Sequence, residues 1–193
     1  MFLAKLLLKP TIITRGQWGA EKPLKEGEPI EGEVSTLVLK FTQTQTCSTK
    51  KDCIERVKEV QKRHMEEEGL PDIQHNFLIG GDGNVYEGRG FNTYPVYSEE
   101  EENFKPLVNS AFEIAFIGKI SDKPSMKMLK SLAGVVMKGM EEKKITKDVK
   151  KIKPYIIHGK DVMMLKDKKG SHKDTKQLIK EYKELLEKEE QTV

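Results

Sequence analysis

The chain has 193 residues, enough for one domain with a full hydrophobic core. Charged residues make up 34% of it and hydrophobic ones 36%, and 34 basic side chains nearly balance 31 acidic ones for a net charge of +3. Such even balance argues against a dedicated nucleic-acid binder, whose basic residues cluster on one side, and no apolar run approaches the ~20 residues of a membrane span.

Residues 1–10 read as a lead-in, and residues 11–190 as the domain. Met1 to Lys9 is short, carries Lys5 in its middle and lacks a small-residue cleavage site, so it reads as a first strand or amphipathic lead-in rather than a secretory leader. Ser35 to Phe41 is rich in apolar and β-branched residues, as a buried strand should be. Cys47 and Cys53 lie six apart; a disulfide, a partial metal site and two free thiols are all open to such a pair. A zinc site needs four ligands, and no second Cys/His pair sits nearby at ligand spacing. Thr49 can cap a helix with Asp52 in its first turn, where a carboxylate suits the dipole. Ile54, Val57, Val60, Gln61, His64 and Met65 then recur at helical spacing until Gly69 and Pro71.

Asp72 to Gly90 predicts two short strands joined by Gly-Asp-Gly-Asn, a turn with the residues a tight hairpin needs where the backbone goes to positive φ. Phe112 to Gly118 is another strand. Pro124-Ser125 opens a second helix, with Met126, Leu129, Leu132, Val136 and Met140 on one face. Tyr155 to His158 is a short strand, and Asp174 to Glu190 a third helix with Leu178, Ile179, Tyr182, Leu185 and Leu186 inward. The interspersed elements predict an α/β fold, a central mixed β-sheet flanked by three main helices. The lysine-rich stretches around residues 143–153 and 166–176 read as solvated faces and loops.

The hairpin segment resembles the signature of the peptidoglycan recognition protein family, the animal relatives of type-2 N-acetylmuramoyl-L-alanine amidases. The likeness runs from about Ile12 to Leu186. Ile12 to Ala20 is similar to the family's Ile-x-x-Arg-x-x-Trp-Gly-Ala opening; Gln61, His64 and Met65 to its Gln-x-x-His-Met step; and Phe116-Ile117-Gly118 to its Phe-Ile-Gly strand. The resemblance implies the single-domain amidase-2-like fold. It also implies a Cys47–Cys53 bridge just before the first long helix, and with it an oxidising, extracellular compartment. A cytoplasmic location is the alternative, because no clear signal peptide is present.

Catalytic members hold zinc through His, His and Cys, leave the fourth position to water, and use a groove tyrosine. Where the family's first ligand belongs, this chain has Lys40, which has no lone pair for a metal. Gly159 stands at the second ligand, Gly170-Ser171-His172 at the Cys-Pro-Gly turn, and His75 at the tyrosine. The resemblance thus implies a non-catalytic member with neither catalytic residues nor a zinc cofactor. Its groove would be lined by Lys40, Thr42, His64, His75, Arg89, Phe91 and Tyr97. Arg89 and Phe91 belong to Gly88-Arg89-Gly90-Phe91, similar to the family's Gly-Arg-Gly-Trp, and Tyr97 follows where the family has Gly-Ala-His. His64 reads equally as packing or groove lining.

The implied role is innate immune binding of peptidoglycan or muropeptide fragments, with another family member as a further possible partner. Two alternatives stand: a regulatory or decoy member acting by protein contacts, and an amidase with a rewired zinc site from His75, His158, His172 and Asp167. His158 sits one residue from the lost ligand, and a one-residue slip turns a strand side chain to the opposite face. The acidic run Glu99 to Glu102 lies in a stretch longer than the family's; it reads as a solvated loop or as a groove rim that repels the carboxylates of a stem peptide.

Overall fold

The computed structural model describes residues 9–97, 107, 109–148, 153–158 and 161–164. Among these residues seven strands form one mixed sheet: β1 (Ile12–Ile13), β2 (Thr36–Phe41), β3 (Phe77–Ile79), β4 (Val85–Glu87), β5 (Ala111–Phe116), β6 (Lys153–His158) and β7 (Asp161–Met164). Their order across the sheet is β1-β4-β3-β5-β2-β6-β7. The pairs β1/β4, β3/β5, β5/β2 and β2/β6 are parallel, while β3/β4 and β6/β7 are antiparallel hairpins. Among the described residues, three α-helices accompany the sheet: α1 (Arg15–Trp18), α2 (Lys50–Glu66) and α3 (Met126–Glu141).

The central strands are covered on both faces, which is why β2 and β5 read as continuous apolar runs rather than alternating ones. Side chains nevertheless alternate between the faces. Leu37, Leu39, Phe41, Phe77, Ile79, Phe112, Ile114 and Phe116 pack with Leu129, Leu132 and Val136 of α3. Leu78, Tyr86 and Ala115 pack on the other face with Val57 and Val60 of α2. The Thr49 hydroxyl accepts from Asp52 N and caps α2, as expected. Cys53, in that first turn, is bridged to Cys47 with Cα atoms 5.1 Å apart.

The β3–β4 turn matches its expected chemistry. Gly83 has φ +80°, Gly80 N donates to Asn84 O, and the Asp82 carboxylate accepts from Asn84 N and the Tyr86 hydroxyl. The Arg-x-x-Trp motif clasps this hairpin: Trp18 Nε1 donates to Glu87 O, and Arg15 donates to Gly88 O.

Three expectations change. Met126, placed on one face with Leu129 and Leu132, is 55% exposed; the buried stripe starts two residues later, with Met128 and Leu129. Ile54 and Met65 of α2 are only half-buried, because they flank the Val57–Val60–His64 stripe. β7, which pairs with β6, was not anticipated, because four residues give no periodicity of their own. The expected helix Asp174–Glu190 and residues 1–8 of the lead-in lie outside the described residues.

Candidate functional site

β2 and β5 lie side by side in parallel, with Val38 opposite Glu113 and Lys40 opposite Ala115. Side-chain parity therefore sends Lys40 and Glu113 to the same face, the one α2 covers. Glu113 is fully buried in the middle of an apolar strand. A carboxylate there needs partners, and it has them. Its Oε1 is 2.5 Å from His75 Nδ1, and its Oε2 accepts from the Tyr97 hydroxyl at 2.9 Å. Its backbone is clasped by Asn76, whose Oδ1 accepts from Glu113 N and whose N donates to Glu113 O. Burial pushes the Glu113 carboxyl upward, but Lys40, His75 and Tyr97 outweigh it and hold it below the ordinary carboxylate range.

Lys40, half-buried at the end of β2, places its ammonium 5.5 Å from the centre of the Tyr97 ring, a cation–π arrangement. His64, from the inward stripe of α2, lies with its ring centre 5.1 Å from that of His75, edge to face. Gln74 N donates to His64 Nδ1 at 3.0 Å, so the proton of the neutral ring sits on Nε2. Burial first, then His75, Arg63 and Lys40, pushes the His64 pKa down to about 2, so its ring stays neutral. Lys40, His64, His75 and Tyr97 thus gather with Glu113 in one polar cluster between sheet and α2.

The other expected groove residues lie elsewhere. Thr42 is 1% exposed, and its hydroxyl meets Thr44 Oγ1 and accepts from Gly118 N, a junction that holds the end of β2 to the end of β5. Phe91 lies across the sheet, where its ring meets Phe77 and Phe112, with centres 4.5 and 5.7 Å away, beside α3. The two aromatic rings on that face offer it more apolar contact than a polar groove would. The Arg89 side chain is only 4% exposed; its Nε donates to Tyr94 O, and Nη1 lies 3.6 Å from Asp72. Arg89 and Tyr97 line a shared cleft of about 230 Å³. The expectation missed Glu113, although one carboxylate inside Phe-Glu-Ile-Ala-Phe was the signal for it.

As a zinc centre the described donors are a poor match. Lys40 brings a cation, and His64 Nδ1 is already accepting from Gln74. His75 Nε2 alone is a buried ring nitrogen without a hydrogen-bond partner among the described residues. No three His, Cys, Asp or Glu side chains converge there among the described residues. Gly159, Gly170 and the rewired-site candidates His172 and Asp167 lie outside the described residues, and His158 ends β6.

No family model matches the chain. It is 34% identical over 147 residues to peptidoglycan-recognition protein 1 of Holotrichia diomphalia, covering 74% of this chain and 70% of the relative. The chain belongs to the peptidoglycan-recognition protein family. To protein SC2 of Drosophila simulans it is 42% identical over 92 residues, and it spans half the length of that relative. Among solved structures, recognition protein LE in complex with tracheal cytotoxin, a monomeric diaminopimelic acid-type peptidoglycan, is 30% identical with a TM-score of 0.66, covering 77% of this chain and 82% of that one. The ectodomain complex of recognition proteins LCa and LCx with bound tracheal cytotoxin is 28% identical with a TM-score of 0.67, over 76% of this chain and 83% of that one. The family expected from the sequence is therefore borne out. So is the mixed-sheet α/β fold. No helix among the described residues is long and apolar enough to cross a membrane.

Proposed function

We propose that this recognition protein is a non-catalytic member that binds bacterial muropeptides outside the cell, in innate immune recognition. The observation that carries the reading is the Lys40–Glu113–His75–Tyr97 cluster. Lys40, at the position where the family resemblance puts the first zinc ligand, lies over the Tyr97 ring, and its charge lowers the pKa of the buried Glu113 that His75 and Tyr97 hold. An ammonium offers hydrogen-bond donors to a ligand carbonyl or carboxylate but cannot activate a water as zinc does. The tracheal cytotoxin bound to protein LE supports muropeptide as the ligand class.

The complex of LCa and LCx supports a second reading, in which this chain pairs with another family member over a shared muropeptide. Co-sedimentation with insoluble peptidoglycan tests the first reading. Wild-type protein should pellet, and Lys40→Met should pellet less. Turnover of purified peptidoglycan that a chelator abolishes and zinc restores would overturn the non-catalytic assignment and favour the rewired histidine site. Protein that stays in the supernatant unless a second recognition protein is added would favour pairing.

A further inference from the structure

β2, β3 and β5 run parallel, so their C-terminal ends lie at one end of the sheet. The β3–β4 turn closes that end, and α2 and α3 both begin beside it. The Tyr86 hydroxyl reaches Lys50 O at 3.5 Å, and the Ser131 hydroxyl donates to Gly83 O at 2.6 Å. The stem of Lys127 lies over the turn, where a Cβ on Gly83 would collide with it. Gln43 N donates to Gly118 O, which ties the loop before α3 to the same end. Among the described residues, six exposed lysines meet there: Lys50 and Lys51 from α2, Lys119 and Lys123 from the loop, and Lys127 and Lys130 from α3. Asp52, Asp82 and Asp122 stand against them. This one corner therefore carries about as much net charge as the whole chain, +3. Met126 stands among the lysines. It is 55% exposed, and Leu24 is the other exposed large apolar side chain among the described residues. On the helix surface Met126 neighbours Lys130 four residues on, and Lys127 neighbours Lys130 three residues on.

An apolar tip set among cations is the pattern of a side chain that enters the headgroup region while the charges around it meet lipid phosphates. We propose that this corner docks the protein on an anionic lipid membrane, with Met126 entering the interface and Lys127 and Lys130 beside it. All six cations are lysines. A lysine is a hydrated point charge on a flexible stem, suited to a diffuse anionic surface; the fixed fork that reads a single carboxylate or phosphate belongs to arginine. A soluble polyanion would give the exposed methionine nothing to bury in. The corner lies about 20 Å along α2 from His64, at 1.5 Å of rise per residue. A protein docked this way keeps the Lys40 cluster clear of the bilayer.

The test is flotation of the full chain with vesicles of phosphatidylcholine, alone or mixed with phosphatidylglycerol, at low and at physiological salt. The protein should float with the mixed vesicles, stay down with phosphatidylcholine alone, and float less as salt rises. Lys127→Glu combined with Lys130→Glu should lower vesicle affinity more than about tenfold, since each lysine near an anionic surface contributes roughly fivefold. Lys22→Glu combined with Lys62→Glu makes the same change in net charge at exposed sites beside Gln61, toward the other end of α2. That pair should lower affinity about twofold or less, because salt screens charges so far from the lipid. Met126→Ser should weaken binding about threefold, most visibly at physiological salt, where the apolar contact carries more of the attraction. All five positions are exposed, so the variants should keep the wild-type melting temperature. Flotation with neither kind of vesicle, equal flotation with both, or a control pair as damaging as the corner pair overturns the proposal. An affinity that Met126→Ser leaves unchanged overturns it in favour of a soluble polyanion. No peptidoglycan is present, so the outcome is independent of whether the Lys40 face binds muropeptide.

Discussion

Neutralising Glu113 tests whether the cluster is an ion pair held in the core or a chance meeting of polar groups. In Glu113→Gln the side chain keeps its size and one acceptor oxygen. The bond from the Tyr97 hydroxyl, 2.9 Å long in the wild type, can persist. The oxygen facing His75 Nδ1 becomes an NH₂ group, so donor meets donor until the imidazole changes tautomer. Lys40 loses the negative charge whose field it shares. A hydrogen bond to a charged group is worth about 1.5–3 kcal/mol, and removing one partner of a buried ion pair costs about 3–5 kcal/mol. Lys40 is only half-buried and can turn to water, which places the expected cost near the lower end, about 3 kcal/mol. Urea unfolding at pH 7 should show a lower midpoint at unchanged slope. Lys40→Met alone should cost less, and the double variant less than the sum, with a coupling of about 1–2 kcal/mol. A Glu113→Gln cost under about 0.5 kcal/mol, or strict additivity with Lys40→Met, would refute the ion-pair account.

His64 makes stability depend on acid. Its folded pKa, about 2, lies below its unfolded value near 6.5, so below pH 6.5 the unfolded chain takes up a proton that the folded one refuses. Stability is complete above pH 6.5 and falls as pH drops toward 2, by up to about 1.4 kcal/mol per pH unit. Glu113, also lowered, adds to the loss at the acid end of that window. His64→Gln should flatten the slope between pH 6 and 5; an unchanged slope would assign it to other groups. Cys53→Ser should cost on the order of 2 kcal/mol without abolishing the fold, since the bridged loop is short; a loss several times larger would mean that the bridge shapes the folded state itself. Changing glutamates 99–102 to glutamine, in a stretch outside the described residues, should raise muropeptide affinity most at low salt if their charge alone repels the ligand. Affinity unchanged at every ionic strength would make them an inert surface run.

Local chemistry was legible and side-chain direction was not. The β3–β4 turn could be read because Gly83 must reach positive φ and Asp82 and Asn84 supply the hydrogen bonds, all within five residues. The first turn of α2 could be read because Thr49 and Asp52 are a local pair. Glu113 was hidden for the opposite reason. Its partners come from residues 16 and 38 positions earlier in the chain, and they meet it only after β5 has paired with β2 and β3. Arg89 and Phe91 show the same limit from another side. A charged residue between two glycines and an aromatic two residues later look like one exposed rim. The chain there turns through Gly90 at φ +70°, which sends Phe91 to the α3 face while Arg89 stays against Asp72 on the far side of the hairpin. What decides the polar cluster is therefore the parity of the strands, which sends Lys40 and Glu113 to one face. That parity is written in no single stretch of sequence. In this chain a carboxylate inside an apolar strand and a cation on the neighbouring strand, not the motif residues as a set, build the cluster.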